Sequence, residues 1–507
     1  MSGAQQTAQD LGERLFDSLS ARPRHAVVLR GDSETWRAAE LQSAIDSLAC
    51  GLAGVRVLAV LADNGPAWVI ADLAALRAGV VHLPLPGFFS PAQLAHALTQ
   101  AGADTVLTDQ PARIASLDLG FTVAGKANGL LWMARATPAA LLPSATARIS
   151  FTSGSTGAPR GVCLSAAGLL DTAAAVAGCF ADLAIERHLA VLPLPLLLEN
   201  SAGIHASLLL GAEIRVAGLQ TLGWRGMAGF DPVALERTVV ASAANSLILV
   251  PELLKMWSAH RAAGGPVAAN DLRYVAVGGA RVAPDLLARA RAVGLPAFQG
   301  YGLTECGSVV SLNRPGDDAD GVGRPLPHVR VRIADGEVLV GGRAFLGYVG
   351  DELPQPATAT QLPEFATGDL GRIDGNGHLH LDGRRKNLLI TSFGRNVAPE
   401  WVESLLLAEP AIAQALVCGD GMPGLCALLV AAPGADHAAL SAAVARVNAG
   451  LPDYARIADW LPAAPFSVDN GLATGNGRPR RNAILQHHAA MLAALFHPER
   501  EANDVLS

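Results

Sequence analysis

Residues 55–62 read VRVLAVLA, an unbroken apolar run of strand length. Such a run suits a strand covered on both faces. Residues 66–79 (PAWVIADLAALRAG) follow with a helical pattern, Pro66 near its start and Gly79 at its end. The next expected strand is 80–85 (VVHLPL), then a helix over 91–102 and a third strand at 104–108 (DTVLT). Strand, helix, strand in this rhythm predicts βαβ units and a parallel sheet. The rhythm returns at 245–251 (NSLILVP) and 273–278 (RYVAVG), followed by a helical 284–293.

Beyond about residue 320 the texture changes. Residues 328–340 (HVRVRIADGEVLV) alternate around Asp335 and Gly336, which predicts a hairpin. A second hairpin-like stretch, 370–381 (LGRIDGNGHLHL), turns at Asp374, Gly375, Asn376 and Gly377. Residues 399–409 read as a helix with Pro399 at its first position, and 414–418 and 425–431 as strands of a small α+β domain. The expected class is α/β. A large N-terminal domain of parallel-sheet layers with a β-rich subdomain covers 1–383, and the small domain covers 387–507.

Composition narrows the function classes. A chain of 507 residues, half of them hydrophobic, supports several domains and a sizeable core. The net charge of -7 and the lack of a basic block argue against a nucleic-acid binder held by phosphate contacts. The polar N-terminus is unlike a secretory signal, and no run of about 18 apolar residues predicts a transmembrane span; a cytoplasmic protein is expected. Cys50, Cys163, Cys179, Cys306, Cys418 and Cys426 form no CxxC pair, and read as reduced core thiols rather than zinc ligands. Of 38 basic residues only Lys126, Lys255 and Lys386 are lysines.

The richest chemistry lies at 149–164, ISFTSGSTGAPRGVCL. A strand runs into Thr152, Ser153, Gly154, Ser155, Thr156 and Gly157, four hydroxyls and two glycines. Backbone N–H groups and hydroxyls in such a loop can wrap phosphate oxygens. It is not a Walker loop, because GxxxxGK[ST] is absent. TSGSTGAPRGV closely resembles the phosphate-binding loop of the adenylate-forming superfamily, in its acyl-CoA synthetase branch. The usual Pro-Lys-Gly is Pro159-Arg160-Gly161 here.

The resemblance continues in order along nearly the whole chain. QGYGLTE at 299–305 is similar to the family's adenine and magnesium motif. It implies that Tyr301 stacks on adenine beside Gly302, that Thr304 meets the α-phosphate, and that Glu305, with Thr156, holds Mg²⁺. VGGARV at 277–282 implies adenine against the backbone of Gly279 and Ala280. GEVLVGGRAFLGY, ending at Tyr348, looks like the linking motif. TGD at 367–369 implies that Asp369 accepts the ribose hydroxyls. GRRK at 383–386 implies a ribose and phosphate contact at Arg384, a hinge over 384–386 centred on Lys386, and a mobile C-terminal domain. NLLITSFGRNVAPEWVE at 387–403 implies a thiol channel at Gly394 and Arg395.

The family's late lysine bridges the acid and the α-phosphate. In NGLATGNGRPRR at 470–481 its place falls on Arg478. Two readings stay open. In one, Arg478 does the same electrostatic work, with Thr156 and Glu305 as the other catalytic groups. In the other, adenylation is impaired, and the protein is a nucleotide- or acyl-adenylate-binding protein. VLPLPLLLENSAGIHASLLLG at 191–211 resembles the start of the acyl pocket, implicating Glu199, Asn200 and Gly203, with His205 read as a core histidine. Its leucines favour a fatty or other alkyl acid. The resemblance implies ATP, Mg²⁺ and coenzyme A, or a phosphopantetheinyl acyl carrier protein or an amine as acceptor.

Overall fold

The computed structural model describes residues 13–152, 159–226, 229–265, 271–318, 321–351, 364–474 and 477–495. The chain divides into two compact units. One comprises 1–280, 287–367 and 373–380; the other comprises 281–286, 368–372 and 381–507.

The first unit is built on two large sheets. In one, Val57–Leu61 lies between Val81–Pro84 and Thr105–Thr108, parallel to both. Val81–Pro84 also pairs in parallel with Thr146–Thr152. In the other, Arg187–Ala190, Ser246–Leu249, Tyr274–Val277 and Ala297–Tyr301 run parallel in that spatial order. Five buried residues make up Val57–Leu61. Successive side chains of a strand point to opposite faces. Leu58 and Val60 accordingly join the core between the sheets, with Val28, Ile214 and Val216 of the second sheet. Val57, Ala59 and Leu61 join the core on the outer face. A strand covered on both sides has no polar position to spare, which is why its sequence does not alternate.

The helix Pro66–Ala78 lies within the inter-sheet core and is buried from Trp68 to Ala75. Pro66 occupies its first turn, and Gly79 ends it in the left-handed region at φ 66°. The predicted hairpin is present: Arg330–Ala334 pairs antiparallel with Glu337–Gly341. Asp335 (φ 47°) and Gly336 (φ 73°) both have the positive φ of a two-residue turn. The strands Thr122–Ala127 and Leu130–Ala134 also form a hairpin, which the sequence reading did not foresee.

In the second unit Ile412–Cys418 pairs antiparallel with Leu425–Ala431, which runs parallel to Ile457–Pro462. Pro399–Ala408 and His437–Gly450 pack on this sheet through Val402, Leu406, Leu440 and Val444. The cysteines are free, but the expectation of core thiols holds only in part. Cys50 is exposed and Cys179 half-buried, because each sits on a helix flank rather than in a strand. No helix of the described residues is long and apolar enough to cross a membrane.

Candidate active site

The strand Thr146–Thr152 pairs antiparallel with Arg160–Ser165, and Thr152 faces Arg160 across the ladder. The loop residues Ser153, Gly154, Ser155, Thr156 and Gly157 lie outside the described residues. The Arg160 guanidinium lies over the ring of Tyr348, 3.6 Å from its centroid, with Asp351 at 3.8 Å. A flat cation over an aromatic face is attracted by the ring quadrupole. Tyr348 is placed there by its strand, Phe345–Tyr348, which pairs with the strand of Arg160.

Glu305 arrives from the other sheet. The strand Ala297–Tyr301 ends at Gly302, and Thr304–Cys306 makes one 3₁₀ turn. Gly302 has a steric reason: a Cβ there would sit 1.6 Å from the Ser308 carbonyl oxygen. The hydroxyl of Tyr348 donates to Glu305 Oε1 at 3.2 Å. Arg160, Tyr348 and Glu305 therefore form one contact chain that ties the end of the glycine-rich hairpin to the turn of the second sheet. Burial, and then the Glu305 charge, push the Tyr348 phenol up to about 12, so it stays a donor at neutral pH. Sequence reasoning named Arg160 and Glu305 and missed Tyr348. The available signal was an aromatic residue closing the linking motif.

Glu305 fits a magnesium ion. It is a half-buried carboxylate with one oxygen steadied by a hydroxyl. Among the described residues no cluster of three His, Cys, Asp or Glu could hold a metal. A hard cation with one protein carboxylate, completing its shell with phosphate and water, matches that donor set. Tyr301 is half-buried at its strand end. Gly279 (φ 86°) and the exposed Ala280 follow the neighbouring parallel strand, in which Val277 pairs with Gln299. Both segments thus leave the sheet at its carboxyl edge, where open α/β sheets bind ligands.

In the second unit, Arg384 Nε lies 2.8 Å from Asp369 Oδ1, so the two expected ribose contacts are already an ion pair. Asp369 is buried. Lys386 is exposed in the turn Arg385–Asn387. Gly394 and Arg395 are exposed at the tip of the hairpin Leu389–Ile390 and Asn396–Val397. Arg478 is exposed, and its backbone N–H donates to the Thr474 hydroxyl at 3.1 Å.

The segment expected to open the acyl pocket is a π-helix, Leu198–His205, and every residue from Glu199 to His205 is buried. Glu199 accepts from the backbone N–H of Val191 and of Leu192, and lies 3.0 Å from His188 Nε2. Gly203 packs on that pair; a Cβ there would lie 2.3 Å from Glu199 Oε1. Asn200 belongs to a second buried group that sequence reasoning did not foresee. Its amide nitrogen donates to Asp72 Oδ2 at 2.9 Å, and its oxygen accepts from Arg148 at 2.6 Å. His82 Nδ1 and His205 Nε2 each lie 2.7 Å from Asp72. Against the cost of burial, the two histidines hold the Asp72 carboxyl well below its usual range. Burial lowers His82 and brings Arg148 down to about 10.

The AMP-binding enzyme family profile matches residues 15–346, and the AMP-binding enzyme C-terminal domain profile matches 386–500. The chain belongs to the AMP-binding enzyme family. It lies in the acyl-CoA synthetase branch of the adenylate-forming superfamily. A long-chain-fatty-acid–CoA ligase of Mycobacterium bovis is 27% identical, covering 91% of this chain and 92% of its own. A feruloyl-CoA synthase of Amycolatopsis is 30% identical, over 78% of this chain and 82% of its own. The solved amide bond synthetase of Marinactinospora thermotolerans superposes with a TM-score of 0.73 at 25% identity, over 94% and 99% of the two chains. For this AMP-binding enzyme, the two profiles meet the chain on either side of the stretch that holds Asp369 and Arg384.

Proposed function

We propose that this AMP-forming acid–thiol ligase activates a fatty or other alkyl carboxylic acid with ATP and transfers the acyl group to coenzyme A. The observation that carries the reading is the Arg160–Tyr348–Glu305 chain, which gathers a cation and a magnesium-type carboxylate beside the glycine-rich hairpin. A bound Mg²⁺ supplies charge neutralisation of the polyphosphate. Glu305 would hold it, with that carboxylate steadied by the Tyr348 hydroxyl. Thr152, Arg160 and the loop between them meet phosphate oxygens. The acid arrives ionised, so no protein base is needed. Its oxygen attacks the α-phosphorus, pyrophosphate leaves, and Arg478 offsets the charge on the reacting oxygens. A thiol then attacks the acyl carbonyl and AMP leaves. Gly279, Ala280 and Tyr301 seat adenine, Asp369 and Arg384 the ribose, and Gly394 and Arg395 line the thiol's approach after a pivot at Lys386.

The leucine-rich segment at 191–211 and the fatty-acid ligase relative support an alkyl acid. The amide bond synthetase likeness supports a second reading, transfer to an amine or to a carrier pantetheine. Incubating the protein with ATP, Mg²⁺ and a panel of acids, with and without coenzyme A, separates them. Pyrophosphate release with acyl-CoA formation supports the first. Pyrophosphate release without acyl-CoA supports the second, and no release with any acid overturns both.

A further inference from the structure

The late motif ends in a group that the proposed chemistry does not use. Arg478 is exposed, and past Pro479 and Arg480 the helix Arg481–His487 begins. Arg481 turns inward. Its NH1 donates to the Val417 carbonyl at 2.6 Å, and its NH2 donates to Glu403 Oε1. The same Glu403 oxygen accepts from the Val417 N–H at 2.7 Å. Both charged side chains are mostly covered, at 17% and 14% exposure. Val417 belongs to Ile412–Cys418, the edge strand of its sheet. An edge strand carries backbone groups that its one neighbour cannot pair; here Glu403 and Arg481 pair them. Three segments therefore meet at one point: the helix Pro399–Ala408 through Glu403, the edge strand, and the late motif through Arg481.

The path from Arg481 back to Arg478 is short and braced. The Arg480 N–H donates to the Leu472 carbonyl at 2.8 Å, and Pro479 bridges to Ala473. The Thr474 N–H donates to the Arg478 carbonyl at 2.8 Å, and the Thr474 hydroxyl accepts from the Arg478 N–H at 3.1 Å. Proline fixes its own φ. Leu472 and Ile484, on either side of the loop, are buried in one core with Cys418 and Cys426. A hydrogen-bonded backbone held at its root carries a shift there to the residues it supports.

We propose that Arg481, through its pair with Glu403, is a positioning residue that sets where Arg478 stands for adenylation. The proposal rests on the reading of Arg478 as the cation of that step. Arg481 acts through Arg478 and not on the reacting oxygens. A forked guanidinium suits the task, because it holds two acceptors at once in a fixed plane where an ammonium is a single point.

The test measures the two half-reactions apart. The probes are the straight-chain alkanoic acid that the wild-type enzyme activates fastest, with Mg·ATP, and the synthetic acyl-adenylate of that acid, with coenzyme A. Arg481→Gln should lower kcat for pyrophosphate release by about 10²-fold, the effect of a misplaced group, while thioester formation from the adenylate keeps most of its rate. Arg478→Ala should lose the same half-reaction, and Arg481→Gln added to it should cost nothing further, because the two act as one unit. Arg481→Lys keeps the charge and should recover part of the loss. Removing one partner of a covered pair leaves the other uncompensated. Where Arg481→Gln alone does not fold, Glu403→Gln combined with it removes both charges and should show the same split. Equal loss of both half-reactions, no loss of either, or additive losses with Arg478→Ala overturns the positioning role. Wild-type pyrophosphate release by Arg478→Ala overturns that role and the reading of Arg478, and leaves the acid ligase standing. No pyrophosphate from the wild-type enzyme with any acid overturns all of these.

Discussion

At the scale of single residues, Glu305 and Tyr348 make separable contributions. Glu305→Gln removes the charge that a cation needs, and pyrophosphate release should fall by about 10²–10³. Tyr348→Phe keeps the ring beneath Arg160 and removes only the O–H that steadies Glu305. Its expected result is a roughly tenfold weaker affinity for Mg·ATP by calorimetry, with an unchanged melting temperature. An unchanged affinity would remove Tyr348 from the site. Arg478→Lys tests the departure at the late motif. If the arginine is a working substitute, the lysine variant turns over within a few-fold of the native rate; a large gain would show native adenylation to be impaired. The expectations for the candidate site came from residues that stand in strings, such as TSGSTGAPRG and YGLTE. Asp72 and His82 gave no such signal, because each is one polar letter in an apolar run, and Arg148 stands alone in a strand of mixed polarity. Only the fold shows that the three meet.

At the scale of elements, close approach explains positions that propensity does not. Gly302→Ala would drive a methyl into the Ser308 carbonyl and shift the turn that carries Glu305. A stability loss of about 1–3 kcal/mol is expected, together with a fall in rate. Gly79→Ala is the control. It meets no atom within 4 Å and faces only the left-handed backbone penalty of about 1–2 kcal/mol, so rate should persist. The sheet edge near His328 gives a pH signature. Burial brings that imidazole down to about 4, against an ordinary value of 6.5. Between those values the unfolded chain binds a proton that the folded chain refuses, so stability falls as pH drops from 6.5 to 4. His328→Gln should flatten part of that fall in chemical denaturation. Parallel strands such as Val57–Leu61 were readable because two covered faces leave an unbroken apolar run. The hairpin at 122–134 escaped because its outer strand is largely exposed and its pattern resembles a loop.

At the scale of the whole molecule, the proposed chemistry uses groups from both compact units: Glu305 from the first, and Asp369, Arg384 and Arg478 from the second. The order of motifs along the chain suggests this organisation, while side-chain pairing such as Asp369 with Arg384 had to come from the coordinates. If one site serves two half-reactions by a pivot, stiffening the hinge should separate them. Lys386 sits in a 3₁₀ turn, whose φ proline accepts. Lys386→Pro should retain pyrophosphate release and lose most thioester formation; equal loss of both would argue against a pivot there. The central claim is that the acid's own oxygen becomes bonded to the α-phosphorus of ATP. Carboxylate fully labelled with ¹⁸O, turned over with ATP and coenzyme A, tests it by mass spectrometry of the nucleotide product. The account predicts AMP carrying one ¹⁸O for each acyl-CoA formed. Unlabelled AMP, or ADP in its place, would contradict it.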